Sequence, residues 1–208
     1  AEHSSDDNNN NNDNNDNDDD SEEYDLDKIA SHEFEFTKQM FLEDEKNYHC
    51  WTYRQWLVQF CNKWDGEIEF TTFLLTRDFR NNSAWNHRFF CLRHLTQLSE
   101  KSRLTQMDFA FKYILRTPNN ESAWNFVRGL CTVSKPSAAS NKVWNHFYNK
   151  STECIKKQPL AIYALAALVL YYESFPTLQN ADEHATCLTK LCQYDPIRVK
   201  YRAYKANK

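Results

Sequence analysis

The residues best placed to do chemistry in this 208-residue chain are Asn47, Tyr48 and His49, which follow Lys46 and precede Trp51 and Arg54. A phenol and an imidazole at an inter-helix turn could donate hydrogen bonds to a phosphate or to a partner's backbone. The plain alternative is a solvated histidine beside a solvated loop lysine. The segment returns as Asn82-Ser83-Ala84-Trp85-Asn86-His87-Arg88 and as Asn120-Glu121-Ser122-Ala123-Trp124-Asn125-Phe126-Val127-Arg128, the last with its Arg one position later. The counterparts of His49 in these copies are small, so the imidazole belongs to the first copy alone. Trp and Arg recur. A catalytic group is needed once and a packing group in every repeat, so Trp51, Arg54, Trp85, Arg88 and Trp124 are read as structural. Each Trp is expected to fill the groove between its helix, the partner helix and the next hairpin. Each Arg is expected to stack on the ring or reach carbonyls of the preceding loop.

Other constellations are weak. Two isolated glycines cannot build a phosphate loop, and no Ser or Cys has an activating His at meaningful spacing. Glu43, Asp44 and Glu45 make a charged helix end. Seven scattered cysteines, an odd number, read as reduced thiols of a cytoplasmic protein. No metal site is expected, because the closest pair, Cys187 and Cys192, point apart on a helix. A net charge of −4 gives no footprint for nucleic acid, and no apolar run has membrane-spanning length.

The elements that must carry these residues follow from the period. Trp51, Trp85 and Trp124 stand 34 and 39 residues apart, the mark of a helical-hairpin array. With 2 Gly, 5 Pro and 15% aromatic residues, the expected fold is all-α, a right-handed superhelix of antiparallel hairpins with about nine helices and no strand. Residues 1–30 are expected to be a disordered, acidic, Asn-rich insertion or tail, and residues 31–208 the repeat domain. A first helix from Ser31 is expected to finish an upstream hairpin. The helix after Asn47 then pairs with one from Glu67, and the helix from Ala84 with one from about Thr105. The chain opens on Ala, so a fragment is expected.

The copies, with Lys63-Trp64-Asp65 and the closing Asp195-Pro196-Ile197-Arg198-Val199-Lys200-Tyr201, resemble the protein prenyltransferase alpha-subunit repeat. The likeness is closest to the alpha subunit shared by protein farnesyltransferase and geranylgeranyltransferase type I, and it covers residues 32–204. It implies a crescent wrapped around a beta subunit that holds the catalytic zinc and the isoprenoid cavity, with magnesium assisting the farnesyl reaction. The heterodimer would transfer farnesyl or geranylgeranyl from its diphosphate to the Cys of a C-terminal CaaX motif. The family's catalytic lysine would lie one repeat upstream of Lys46, which leaves Asn47, Tyr48 and His49 as the substrate-binding candidates and this fragment alone inactive. The alternatives are the Rab geranylgeranyltransferase alpha subunit and a non-enzymatic helical-repeat scaffold.

Overall fold

A computed structural model describes residues 25–94, 98–133, 142–176 and 181–206. Among them are ten α-helices and no strand, as the repeat implied. They are α1 (Leu26–Glu43), α2 (Tyr48–Phe60), α3 (Glu67–Arg77), α4 (Asn82–His94), α5 (Glu100–Ile114), α6 (Glu121–Thr132), α7 (Lys142–Lys157), α8 (Ile162–Ser174), α9 (Ala181–Tyr194) and α10 (Val199–Ala206). The disorder expected of the Asn-rich opening concerns residues that lie almost wholly outside those described. Helix α1 starts five residues before Ser31, because the Asp25 carboxylate caps it by accepting from Lys28 N at 3.0 Å.

The pairing of helices corrects the expected hairpins. α1 packs on α2, α3 on α4, α5 on α6 and α7 on α8, so α1 opens the first hairpin and does not finish an earlier one. Helices α2, α4, α6 and α8 lie side by side as one layer, and their partners form the other. Short turns decide this phase. Each closes on a backbone bond three residues back, from Asn47 N to Asp44 O, Asn81 N to Asp78 O, Asn120 N to Thr117 O and Ala161 N to Gln158 O.

The repeated Asn caps the second helix of the first three pairs. The Oδ1 atoms of Asn47, Asn81 and Asn120 accept from the N–H groups of Cys50, Ala84 and Ser122 at 3.1, 3.1 and 3.3 Å. The repeated Trp is buried as expected and stitches as well as fills. The Nε1 atoms of Trp51, Trp85 and Trp124 donate to Glu45 O, Phe79 O and Pro118 O, in each case six residues upstream. Trp51 meets Phe41 of α1, Phe70 of α3 and His87 of α4, which is the three-way groove the repeat required. Burying one such ring contributes roughly 4 kcal/mol from apolar area alone. Trp144 is also buried, but its Nε1 finds no acceptor on the described chain, in keeping with its place outside the repeat.

The arginines do something other than expected. They reach neither the loop carbonyls nor the Trp rings, but lie in slots between helices. Arg54 donates from Nε and Nη2 to the two oxygens of Glu67 at 3.0 and 2.6 Å, and from Nη1 to Phe34 O and Thr37 Oγ1, with its guanidinium 3.9 Å from the Phe70 ring centre. Arg88 repeats the slot with neutral partners. It donates to Ile68 O, Thr71 Oγ1, Thr72 Oγ1 and Gln106 Oε1, and lies 4.1 Å from the Phe109 ring centre. Burial without a bonded carboxylate pulls Arg88 down to about 10.

Glu67 is buried and also accepts from His87 Nε2 at 2.6 Å. Burial pushes its carboxyl up, but the hydrogen bonds and charges of His87 and Arg54 outweigh that and hold it below the usual carboxylate range. Arg54→Met should therefore cost about 3–5 kcal/mol by orphaning a buried carboxylate. Arg88→Met, which orphans no charge, should cost clearly less; urea midpoints of equal size would contradict this account. A carboxyl titrating lower in the folded than in the unfolded chain stabilises fully above the ordinary value of 4.5, and that contribution is lost as pH falls through the folded value. Urea midpoints should thus fall below about pH 4.5, with a shallower fall in Glu67→Gln.

Candidate functional site

The turns joining α1 to α2, α3 to α4 and α5 to α6 lie along one edge of the array, and side chains lock them in register. Asn81 Nδ2 donates to Glu45 O at 3.0 Å, and Asn120 Nδ2 donates to Phe79 O at 2.9 Å. Each carbonyl thus receives the Trp of its own repeat and the Asn of the next. Asn119 Oδ1 then accepts from Ile162 N at the start of α8, carrying the edge to a fourth turn.

This edge carries the three residues singled out from the sequence. Asn47 Oδ1 is engaged in the cap, which leaves Tyr48 and His49 as the outward-facing pair. Tyr48 is 74% exposed, and its ring stands nearly perpendicular to that of His49 at 5.5 Å. The His49 ring makes no hydrogen bond to the described chain. On the Trp register His49 matches Ser83 and Ser122, so only the first turn offers an imidazole.

Around the pair, charge is partly compensated. Lys46 Nζ lies 3.2 Å from Asp78 Oδ2, and Arg77 Nε donates to Glu45 Oε1 at 2.7 Å. Of the three acids at the charged end of α1, Glu45 is the one these contacts use. Arg80 and Arg116 flank the Phe79 ring at 5.1 and 5.4 Å and have no carboxylate partner among the described residues. The edge therefore offers a phenol, an imidazole and two guanidiniums to an anion.

A second grouping escaped the sequence reading. Ligand atoms of Glu67, His87 and Cys91 lie within 4.8 Å of one another, all buried. A divalent cation there would share its carboxylate with Arg54, which already holds both oxygens. It would also need a thiolate where burial pushes the Cys91 thiol up to about 12. His87 and Cys91 are one turn apart on α4, and the arrangement serves better as a sealed ion pair than as a metal centre. The signal for Glu67 was present. A counter-ion stabilises a buried Arg such as Arg54, and Glu67 heads the next helix.

A cavity of about 490 Å³ lies between α6, α8, α9 and the C-terminal turn, with Ile162, Ala166, Leu188 and Leu191 among its apolar lining. Arg128 reaches this cavity because its one-residue delay turns it about 100° around the helix from the slot that holds Arg54 and Arg88. It accordingly makes a different bond, Nη2 donating to Asn125 Oδ1 at 2.5 Å. No helix among the described residues is long and apolar enough to cross a membrane.

Comparison with known proteins agrees with this geometry. The protein prenyltransferase alpha subunit repeat matches residues 30–61 and 64–95, which are the α1–α2 and α3–α4 pairs. The chain is 45% identical over 76 residues to the protein farnesyltransferase/geranylgeranyltransferase type-1 subunit alpha of Dictyostelium discoideum, covering 36% of this chain and 24% of that protein. It is 29% identical over 162 residues to the Arabidopsis thaliana protein of the same description, covering 70% and 49%. To the geranylgeranyl transferase type-2 subunit alpha of Rattus norvegicus it is 34% identical over 107 residues, covering 46% and 19%. The chain thus spans at most about half the length of these relatives. Among solved structures, Candida albicans protein geranylgeranyltransferase-I complexed with GGPP matches with a TM-score of 0.70 at 27% identity, over 86% of this chain and 58% of that chain. Hairpins closed by the same turn, capped by the same Asn and filled by the same Trp carry the register of the two matching protein prenyltransferase alpha subunit repeats on into α5 and α6, and the chain is similar to type-1 alpha subunits in sequence and to a geranylgeranyltransferase-I chain in fold.

Proposed function

We propose that the chain is part of the alpha subunit of a heterodimeric protein prenyltransferase of the farnesyltransferase/geranylgeranyltransferase type-1 class. It scaffolds a catalytic beta subunit, which moves farnesyl or geranylgeranyl from its diphosphate to the Cys of a C-terminal CaaX motif. The observation that carries this reading is the 76-residue stretch 45% identical to a type-1 alpha subunit, against 34% for the type-2 relatives. Zinc belongs to the beta subunit and magnesium to the assembled enzyme, which works in the cytoplasm. The type-2 likeness supports the second reading, a Rab geranylgeranyltransferase alpha subunit.

In this reading the turn edge faces the isoprenoid diphosphate, with Tyr48 and His49 as hydrogen-bond donors and Asn47 holding the turn that presents them. The edge has the exposure and the uncompensated guanidiniums such a role needs. Electrostatic support of a leaving diphosphate is the contribution a subunit without metal ligands can make. The upstream lysine of the family has no counterpart in these 208 residues, so the chain paired with a beta subunit should assemble without normal turnover.

Co-expression with a type-1 beta subunit and with a Rab-type beta subunit should give a stable complex with the first. Co-elution with the second alone would favour the other reading, and elution apart from both would defeat the proposal. In the type-1 complex, His49→Ala and Tyr48→Phe should each weaken binding of a fluorescent isoprenoid diphosphate about tenfold, the worth of one charge-assisted hydrogen bond, without changing assembly. Unaltered affinity would remove these residues from the site. Prenyl transfer at normal rates by the reconstituted pair would overturn the inactivity expected of the chain.

A further inference from the structure

The seams between successive second helices can be compared position by position. Between α4 and α6, Phe89, four residues after Trp85, presses so close to Gly129 that an added Cβ there would sit 2.9 Å from its ring, and Phe126 meets Phe89 edge-on at 6.2 Å. Between α6 and α8 the same register puts Arg128 in the place of Phe89. Ala161 closes the fourth turn as Asn120 closes the third, so Leu165, four residues on, holds the place of the repeated Trp. Counted from Leu165, Ala167 stands where α6 has Phe126, and Leu170 where α6 has Gly129. Two rings fill the first seam, and the next has neither.

The cavity of about 490 Å³ opens at this second seam, with Arg128 and Leu170 in its lining. Its volume is that of a small-molecule pocket. Val169 and Leu170 of α8 and Leu188 and Leu191 of α9 give it an apolar wall. Most of its charged groups are already engaged. Arg198 Nη1 donates to the buried Asp195 at 3.0 Å, and the Tyr163 hydroxyl donates to Glu121 at 3.1 Å. Glu173 is exposed on the last turn of α8, where water and salt screen it. Arg128 differs from these. It has five N–H donors, of which Nη2 is bonded to Asn125, and no carboxylate among the described residues is bonded to it.

We propose that this cavity binds an aliphatic monocarboxylate of medium chain length, its carboxylate on the Arg128 guanidinium and its hydrocarbon body along Val169, Leu170, Leu188 and Leu191. A carboxylate matches the planar donor fork of Arg, which an alcohol cannot do. Three carboxylates, Glu121, Glu173 and Asp195, border the same space, so a monoanion meets less repulsion there than a phosphate dianion. Apolar side chains leave peptide amides without partners, which favours a hydrocarbon body over a peptide. The site is built on α6, α8, α9 and the C-terminal turn, away from Tyr48 and His49 on α2, and it does not depend on which subunit the array binds.

Titration calorimetry with sodium decanoate tests this in the full-length protein, purified with its partners from its source cells and saturated with farnesyl diphosphate so that any isoprenoid site is filled. Decanoate should bind saturably, and about tenfold more weakly to Arg128→Gln, the worth of one charge-assisted hydrogen bond. Arg128 is exposed, so its replacement leaves the fold in place. Leu188→Trp, which fills the cavity, should abolish binding. Decanol should bind wild type and Arg128→Gln alike, and decylammonium should bind more weakly than decanol. Absence of saturable decanoate binding, equal affinity in Arg128→Gln, or decylammonium binding as tight as that of decanoate would overturn the proposal.

Discussion

The backbone oxygens of Glu45 and Phe79 hold this array together. Each has two lone pairs and uses both, one for the indole of its own repeat and one for the side-chain amide of the next Asn. The indole cannot leave its groove without stranding the carbonyl, and the Asn cannot slip without losing both its cap and its partner turn. Local geometry and long-range register are therefore set by the same few atoms. This is why Asn and Trp persist through three copies while the surrounding residues vary.

The slot beneath each Trp is less uniform. In the first repeat a guanidinium meets a buried carboxylate that also accepts from a histidine; in the second it meets hydroxyls, an amide and a carbonyl. In the third the Arg has left the slot for the cavity side of α6. One geometric position thus runs from an ion pair, through a charge held by neutral dipoles, to no charge at all. The desolvation cost of a buried ion explains the trend only if neighbours compensate it, and Glu67 does so in the first repeat alone.

Much of this was legible in the sequence. The Trp period pointed to the helical array, and the recurrence of Trp and Arg pointed to packing positions; Trp51, Arg54, Trp85, Arg88 and Trp124 are all buried. The phase of the hairpins was not legible, because each helix shows apolar residues to neighbours on both sides and a periodic stripe does not say which neighbour is closer. The four-residue turns at 44–47 and 78–81, each closed by a backbone bond, decide it. The start of α1 was missed because Leu26 to Ala30 follow a long polar tract, and a single capping carboxylate at Asp25 was enough to begin a helix there. Of the candidate site, the exposure of Tyr48 and His49 could be read from their place at a turn. The guanidiniums of Arg80 and Arg116 meet only across the Phe79 ring, and nothing in their spacing announces that.

The two long edges of the array are built differently. Along one, consecutive turns are tied carbonyl to amide; along the other, the linkers joining α2 to α3, α4 to α5 and α6 to α7 differ in length. The tied edge behaves as the spine of a book. Each tie sets the separation of two neighbouring turns at a single hydrogen bond. Tyr48 and His49 stand on this spine, just after the turn whose Glu45 carbonyl receives both the Trp51 indole and the Asn81 amide.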